Sequence, residues 1–164
     1  MSDNPHQIIE RIFNLGPVMP VIVIDDAKDA LPLADALLAG GLKTIEITLR
    51  TPAALAAIEA IASHRPEICV GAGTVVSASL AEAARKAGAS FAVSPGTTPA
   101  VVAGCAAAGL PLLPGASTVS EIMTLHEAGL TAMKFFPASA AGGTAFVKSL
   151  ASPLPQITIC PTGG

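Results

Sequence analysis

With 164 residues, 51% hydrophobic and 13% charged, the chain is long enough for one sizeable core and reads as a single domain over 1–164, unsuited to disorder. A net charge of −3, nine Lys plus Arg in all and no basic run argue against nucleic acid as a partner. The first sixteen residues carry charges and lack the apolar core of a signal peptide, and prolines at 95, 99, 111 and 114 interrupt the uncharged stretch 87–120, which argues against a membrane span.

Cys69, Cys105 and Cys160 are odd in number and far apart, the usage of reduced thiols in a cytoplasmic protein. His6, His64 and His126 are equally scattered and read as surface or helix-end residues. No metal-ligand spacing occurs, and no metal or cofactor is expected.

In chain order, a helical pattern over 1–16 is followed by a repeating unit of β-rich run, turn, Ala-rich helix and glycine stop. The predicted strands are Val18–Ile24, Lys43–Leu49, Ile68–Ala72, Phe91–Ser94, Leu110–Leu113, Ala132–Phe136 and Gln156–Cys160. Stops recur at Gly40-Gly41, Gly88, Gly109 and Gly129, where glycine takes the left-handed helix C-cap. Thr51-Pro52 and Thr98-Pro99 each place a capping hydroxyl before a proline and mark predicted helix starts. The helix Pro99–Ala108 has no polar face, an expected subunit contact.

Strict βα alternation implies a parallel sheet, open or closed. In Thr44-Ile45-Glu46-Ile47-Thr48-Leu49-Arg50 the polar and apolar residues alternate, whereas an open doubly wound sheet is apolar on both faces. That pattern favours a TIM-type (β/α)8 barrel with a polar site inside it. Seven strands are counted, and the sequence ends at Gly163-Gly164, so the barrel is expected to be truncated, without its closing helix and eighth strand.

The chemistry-bearing feature is Lys134, set in the apolar run Met133-Lys134-Phe135-Phe136. Burial favours the neutral, nucleophilic amine, which forms Schiff bases with ketones and ketoacids, although a lysine in such a run also snorkels or pairs with a carboxylate. Sites in parallel βα folds lie at the carboxyl ends of strands. There the sequence gathers Glu46 and Arg50, Gly71-Ala72-Gly73-Thr74, Ser94-Pro95-Gly96, Pro114-Gly115-Ala116-Ser117-Thr118, Lys134 and Pro161-Thr162-Gly163-Gly164. Glu46 alternatively serves as a structural partner of Lys134 or Arg50, and Gly71-Ala72-Gly73-Thr74 is explained by a tight turn, since it lacks the third glycine of a dinucleotide fingerprint.

Taken together, Ile-Glu-Ile-Thr-Leu-Arg-Thr around Glu46, Val-Gly-Ala-Gly-Thr at 70–74, Ser-Pro-Gly at 94–96, Leu-Pro-Gly at 113–115, Lys-Phe-Phe-Pro-Ala at 134–138 and Cys-Pro-Thr-Gly-Gly at 160–164 resemble the 2-dehydro-3-deoxy-6-phosphogluconate (KDPG) aldolase and 4-hydroxy-2-oxoglutarate (KHG) aldolase family. The resemblance runs from about Gly16 to the end. It implies a metal-free class I aldolase, usually a homotrimer, that cleaves the phosphorylated ketoacid to pyruvate and glyceraldehyde 3-phosphate. Lys134 would form the Schiff base and Glu46 would act as general acid/base. Arg50 and Thr74 would hold the substrate carboxylate, Pro95 and Phe136 would line the pocket, and Thr162, Gly163 and Gly164 would face the hydroxylated, phosphorylated end. The family's eighth strand, with its phosphate-binding serine, has no counterpart here. Three rivals stay open: the galactonate-isomer aldolase, the KHG aldolase, and a noncatalytic fragment.

Overall fold

The computed structural model describes residues 5–163; Gly164 and the side chain of His6 lie outside the described residues. After α1 (Pro5–Phe13) come β1 (Val21–Ile22), a 3-10 turn at Ala27–Asp29, α2 (Ala30–Ala39), β2 (Thr44–Thr48), α3 (Ala54–His64), β3 (Cys69–Gly73), α4 (Ala78–Lys86) and β4 (Ala92–Val93). They are followed by α5 (Pro99–Ala107), β5 (Leu112–Leu113), β6 (Gly115–Ala116), α6 (Val119–Glu127), β7 (Ala132–Phe135), α7 (Gly143–Leu150) and β8 (Thr158–Pro161).

Every strand pairing is parallel, in the orders β1-β2-β3-β4-β5 and β6-β7-β8. The predicted strand Leu110–Leu113 is thus half of a longer stave. Pro114 has no N–H to give a ladder, and the stave resumes as β6 beyond it. The predicted strands Val18–Ile24 and Phe91–Ser94 shorten to two residues each, while the third and seventh extend one residue further, to Gly73 and Pro161.

Register separates the two faces. Ile45, Ile47, Val70, Ala72, Ala92 and Leu112 pack outward against α2 to α5, and Ala116, Met133 and Ile159 pack under α6 and α7. Phe135 stacks on Phe146 of α7, ring centroids 4.7 Å apart. Inward, Phe91, Val93, Leu113 and Ala132 meet Ile9 and Ile12 of α1, which closes the floor of the barrel. All five residues of β2 are buried, as a barrel stave requires.

Local signals mostly performed as the sequence predicts. Gly88 and Gly129 end their helices with φ of 92° and 87°, a region open to glycine at no steric cost. Thr98 caps α5, accepting from the Val101 N–H at 3.3 Å. Thr51 does not cap a helix: α3 begins only at Ala54, and the Thr51 hydroxyl donates instead to the Ile24 carbonyl across the β1–β2 seam. His64 ends α3 and is exposed, and His126 lies in the last turn of α6. Among the described residues no helix is long and apolar enough to cross a membrane.

Candidate active site

Strand β2 projects Thr44, Glu46 and Thr48 into the barrel. The two threonines are satisfied locally, donating to the Val18 and Ile22 carbonyls, so Glu46 is the group left to face the interior. It is 2% exposed, Lys134 on β7 is 4% exposed, and the Lys134 ammonium lies 3.5 Å from Glu46 Oε1. Two residues separated by 88 positions thus meet across the barrel. Burial raises the Glu46 carboxyl above its ordinary value, opposed by the positive charges of Lys134 and Arg50.

Glycines in β3 make the space. A Cβ on Gly73 would sit 2.1 Å from Glu46 Oε1, and one on Gly71 would sit 2.3 Å from the Phe91 ring. Gly71 and Ala72 lie in the predicted strand, and Gly73, which the sequence reads as part of a tight turn, continues that strand. Its bare positions admit a carboxylate above and an aromatic ring below. Glycine inside a strand commonly marks such a close approach, a signal the sequence carried and the turn interpretation overlooked.

Around the pair the remaining predicted residues distribute as follows. Arg50, exposed at the end of β2, donates from Nε to Thr74 Oγ1 at 2.9 Å. Thr74 holds a φ of 60°, a left-handed conformation uncommon for a branched residue. The Phe136 ring lies 5.4 Å from Lys134 Nζ, within cation–π range. Pro95 presses on β6, its carbonyl 2.4 Å from where a Gly115 Cβ would stand, and Gly115 is the cross-strand partner of Lys134.

Thr162 and Gly163 follow β8, and their carbonyls accept from the Ala138 and Ser139 amides, both at 2.9 Å. A side chain at Gly163 would meet the Phe136 ring at 3.2 Å. Glu46, Arg50, Thr74, Pro95, Lys134, Phe136, Thr162 and Gly163 thus share one end of the barrel. Cys160, singled out in the sequence only as a reduced thiol, pairs with Lys134 in register, and burial holds its thiol above the ordinary value. The described residues contain no cluster of three or more His, Cys, Asp or Glu able to hold a metal ion.

A buried amine facing a buried carboxylate at the carboxyl ends of parallel strands is equipment for covalent chemistry on a carbonyl compound, the class that includes the Schiff-base lyases. The family model for KDPG and KHG aldolases matches residues 9–164. A 2-dehydro-3-deoxy-phosphogluconate aldolase of Pseudoalteromonas atlantica is 48% identical over all of this chain and 76% of its own length. The crystal structure of the Zymomonas mobilis 2-keto-3-deoxy-6-phosphogluconate aldolase with 3-phosphoglycerate superposes with a TM-score of 0.92 at 45% identity, over 97% of this chain and 76% of that one. The Legionella pneumophila KDPG aldolase, with pyruvate captured at low pH as a covalent carbinolamine intermediate, also gives 0.92, at 43% identity over 99% of this chain and 77% of that one. The chain belongs to the KDPG and KHG aldolase family.

Proposed function

We propose that the protein is a class I aldolase that cleaves 2-dehydro-3-deoxy-6-phosphogluconate to pyruvate and glyceraldehyde 3-phosphate, with Lys134 as nucleophile and Glu46 as proton shuttle. The observation that carries this is the 3.5 Å Lys134–Glu46 pair, almost wholly withdrawn from water. The neutral amine of Lys134 adds to the carbonyl carbon at C2, giving a carbinolamine that loses water to an iminium. The iminium draws the C3–C4 bonding pair into an enamine as the Glu46 carboxylate takes the C4 hydroxyl proton and the aldehyde leaves. Glu46 then returns a proton to C3 of the enamine, and water releases pyruvate and the free amine. A carboxyl raised by burial is suited to both halves of this cycle.

Arg50, placed by its bond to Thr74, offers a planar fork for the substrate carboxylate. Pro95 and Phe136 wall the pyruvate half. Thr162, Gly163 and Gly164 serve the distal end, where the phosphorylated substrate is distinguished from 4-hydroxy-2-oxoglutarate. The protein acts as a cytoplasmic homotrimer on this reading. The apolar groove between α5 and α6, lined by Val102, Ala103 and Leu125, supports a subunit contact, and light scattering on the eluting protein measures it.

The chemistry is tested by borohydride reduction in the presence of pyruvate. One ketoacid-derived mass is expected on the intact chain, mapping to Lys134; trapping at Lys43 or Lys148 with none at Lys134 rejects the assignment.

A further inference from the structure

The β4–β5 ladder ends at Val93 and Leu113, one residue before the stave breaks at Pro114. Beyond the break, β6 pairs with β7, and the β4 chain leaves the wall through Pro95 and Gly96. The peptide groups of Gly115 that face β4 therefore have no ladder partner. Two hydroxyls replace it. Gly115 N–H donates to Ser94 Oγ at 3.2 Å, the Ser94 and Thr97 hydroxyls are 3.0 Å apart, and Thr97 Oγ1 donates to the Gly115 carbonyl at 3.0 Å. Each hydroxyl has one proton. Since that of Thr97 goes to the carbonyl, Ser94 must donate to Thr97, and the four groups form a closed ring with a single direction.

Ser94 is wholly buried, so its bond from the Gly115 N–H is shielded from competing water, while Thr97 is half-buried. Gly115 has no room for a side chain, because the Pro95 carbonyl and carbonyl carbon occupy that space. The ring thus ties the turn 95–97 to Gly115, the residue that pairs with Lys134, and the Pro95 carbonyl lies directly against that residue.

We propose that Ser94 and Thr97 are positioning residues that fix the Pro95 wall beside the Lys134 amine and thereby limit the size of the 2-oxoacid that forms the imine; this rests on the aldolase assignment. Neither hydroxyl touches substrate. They act through Gly115 and Pro95, so loosening the ring widens the pocket next to the attacking nitrogen and lets the carbonyl compound tilt away from its line of attack.

Methyl or methylene proton exchange in heavy water, followed by NMR for pyruvate and for 2-oxobutanoate, gives kcat and KM for each. Borohydride trapping of pyruvate on the unaltered protein is the reference: failure there rejects the aldolase assignment itself. With trapping intact, Thr97→Val should lower kcat for pyruvate exchange about tenfold and shift the preference toward 2-oxobutanoate severalfold, whereas Thr97→Ser keeps both near the original values. Ser94→Ala should shift the preference in the same direction. Thr97 is half-buried and valine has its shape, so Thr97→Val keeps the fold even if the buried Ser94→Ala does not. A Thr97→Val protein with lowered Tm but unaltered kcat, KM and substrate preference would overturn the proposal.

Discussion

The space provided by Gly73 is open to a direct test. In Gly73→Ala the new Cβ would lie 2.1 Å from Glu46 Oε1 and 2.7 Å from both Cδ and Cγ, so the carboxylate must retreat by more than an ångström to regain an ordinary contact at 3.4 Å. Retreat is feasible, since the obstructing atoms end a rotatable side chain, and Gly73 has no left-handed φ that alanine would strain. The fold should persist, with Tm within a few degrees. The Lys134–Glu46 contact, however, starts at 3.5 Å and has no slack to lose. A misplacement of about 1 Å at reacting groups costs on the order of 10²-fold in rate, so exchange of the pyruvate methyl protons should slow by about that factor while borohydride trapping at Lys134 survives. Gly71→Ala is the contrasting case. Its Cβ would strike the Phe91 ring, which is fully buried and cannot swing away, so the cost appears as stability, about 1–3 kcal/mol of overpacking by urea denaturation. A folded Gly73→Ala protein that exchanges protons at the unaltered rate would refute the assignment of this glycine to the carboxylate.

Burial raises the Glu46 carboxyl above its ordinary 4.5, so the folded protein favours the protonated acid more than the unfolded chain does. This contribution is complete below about 4.5 and is lost as pH rises through the folded-state value. The unfolding free energy of the protein minus that of Glu46→Gln should therefore decline with pH from 4.5 toward 7, and a rising difference contradicts the assignment. Cys105, buried in the α5 face and pushed up to about 11 by that burial, should stay unmodified by iodoacetamide at pH 8 until urea is added; labelling in the native protein at the rate of a free thiol contradicts this.

Much of the fold was legible because each signal was local. The polar alternation of β2 and the glycine stops are set by residues within a few positions of one another, and both recur in the structure. Candidate site residues were also legible where one unusual type stood in an apolar run, as at Lys134 and Glu46, which the fold brings together. What escaped notice depended on partners far along the chain. Gly73 looks like a turn until Glu46 is found against it, and Thr51 looks like a helix cap until the Ile24 carbonyl is found within its reach. The hydroxyl ring of Ser94 and Thr97 was invisible for the same reason: its third member, Gly115, lies 21 residues from Ser94, beyond a proline whose effect on the ladder only the pairing reveals.

The placement of α1 governs how the chain reaches this state. Nine residues are too few for a helix to persist by itself in water, and the residues that Ile9 and Ile12 cover, Phe91, Val93, Leu113 and Ala132, are made some eighty to a hundred and twenty residues later. When α1 leaves the ribosome it is therefore without its binding site until those residues have followed, and contacts across so long a separation form slowly. Until then Ile9 and Ile12 of α1 stay open to other chains. Overproduced at low temperature or with a chaperone in excess, the protein should gain soluble yield, because both slow association during the interval before the barrel floor is closed.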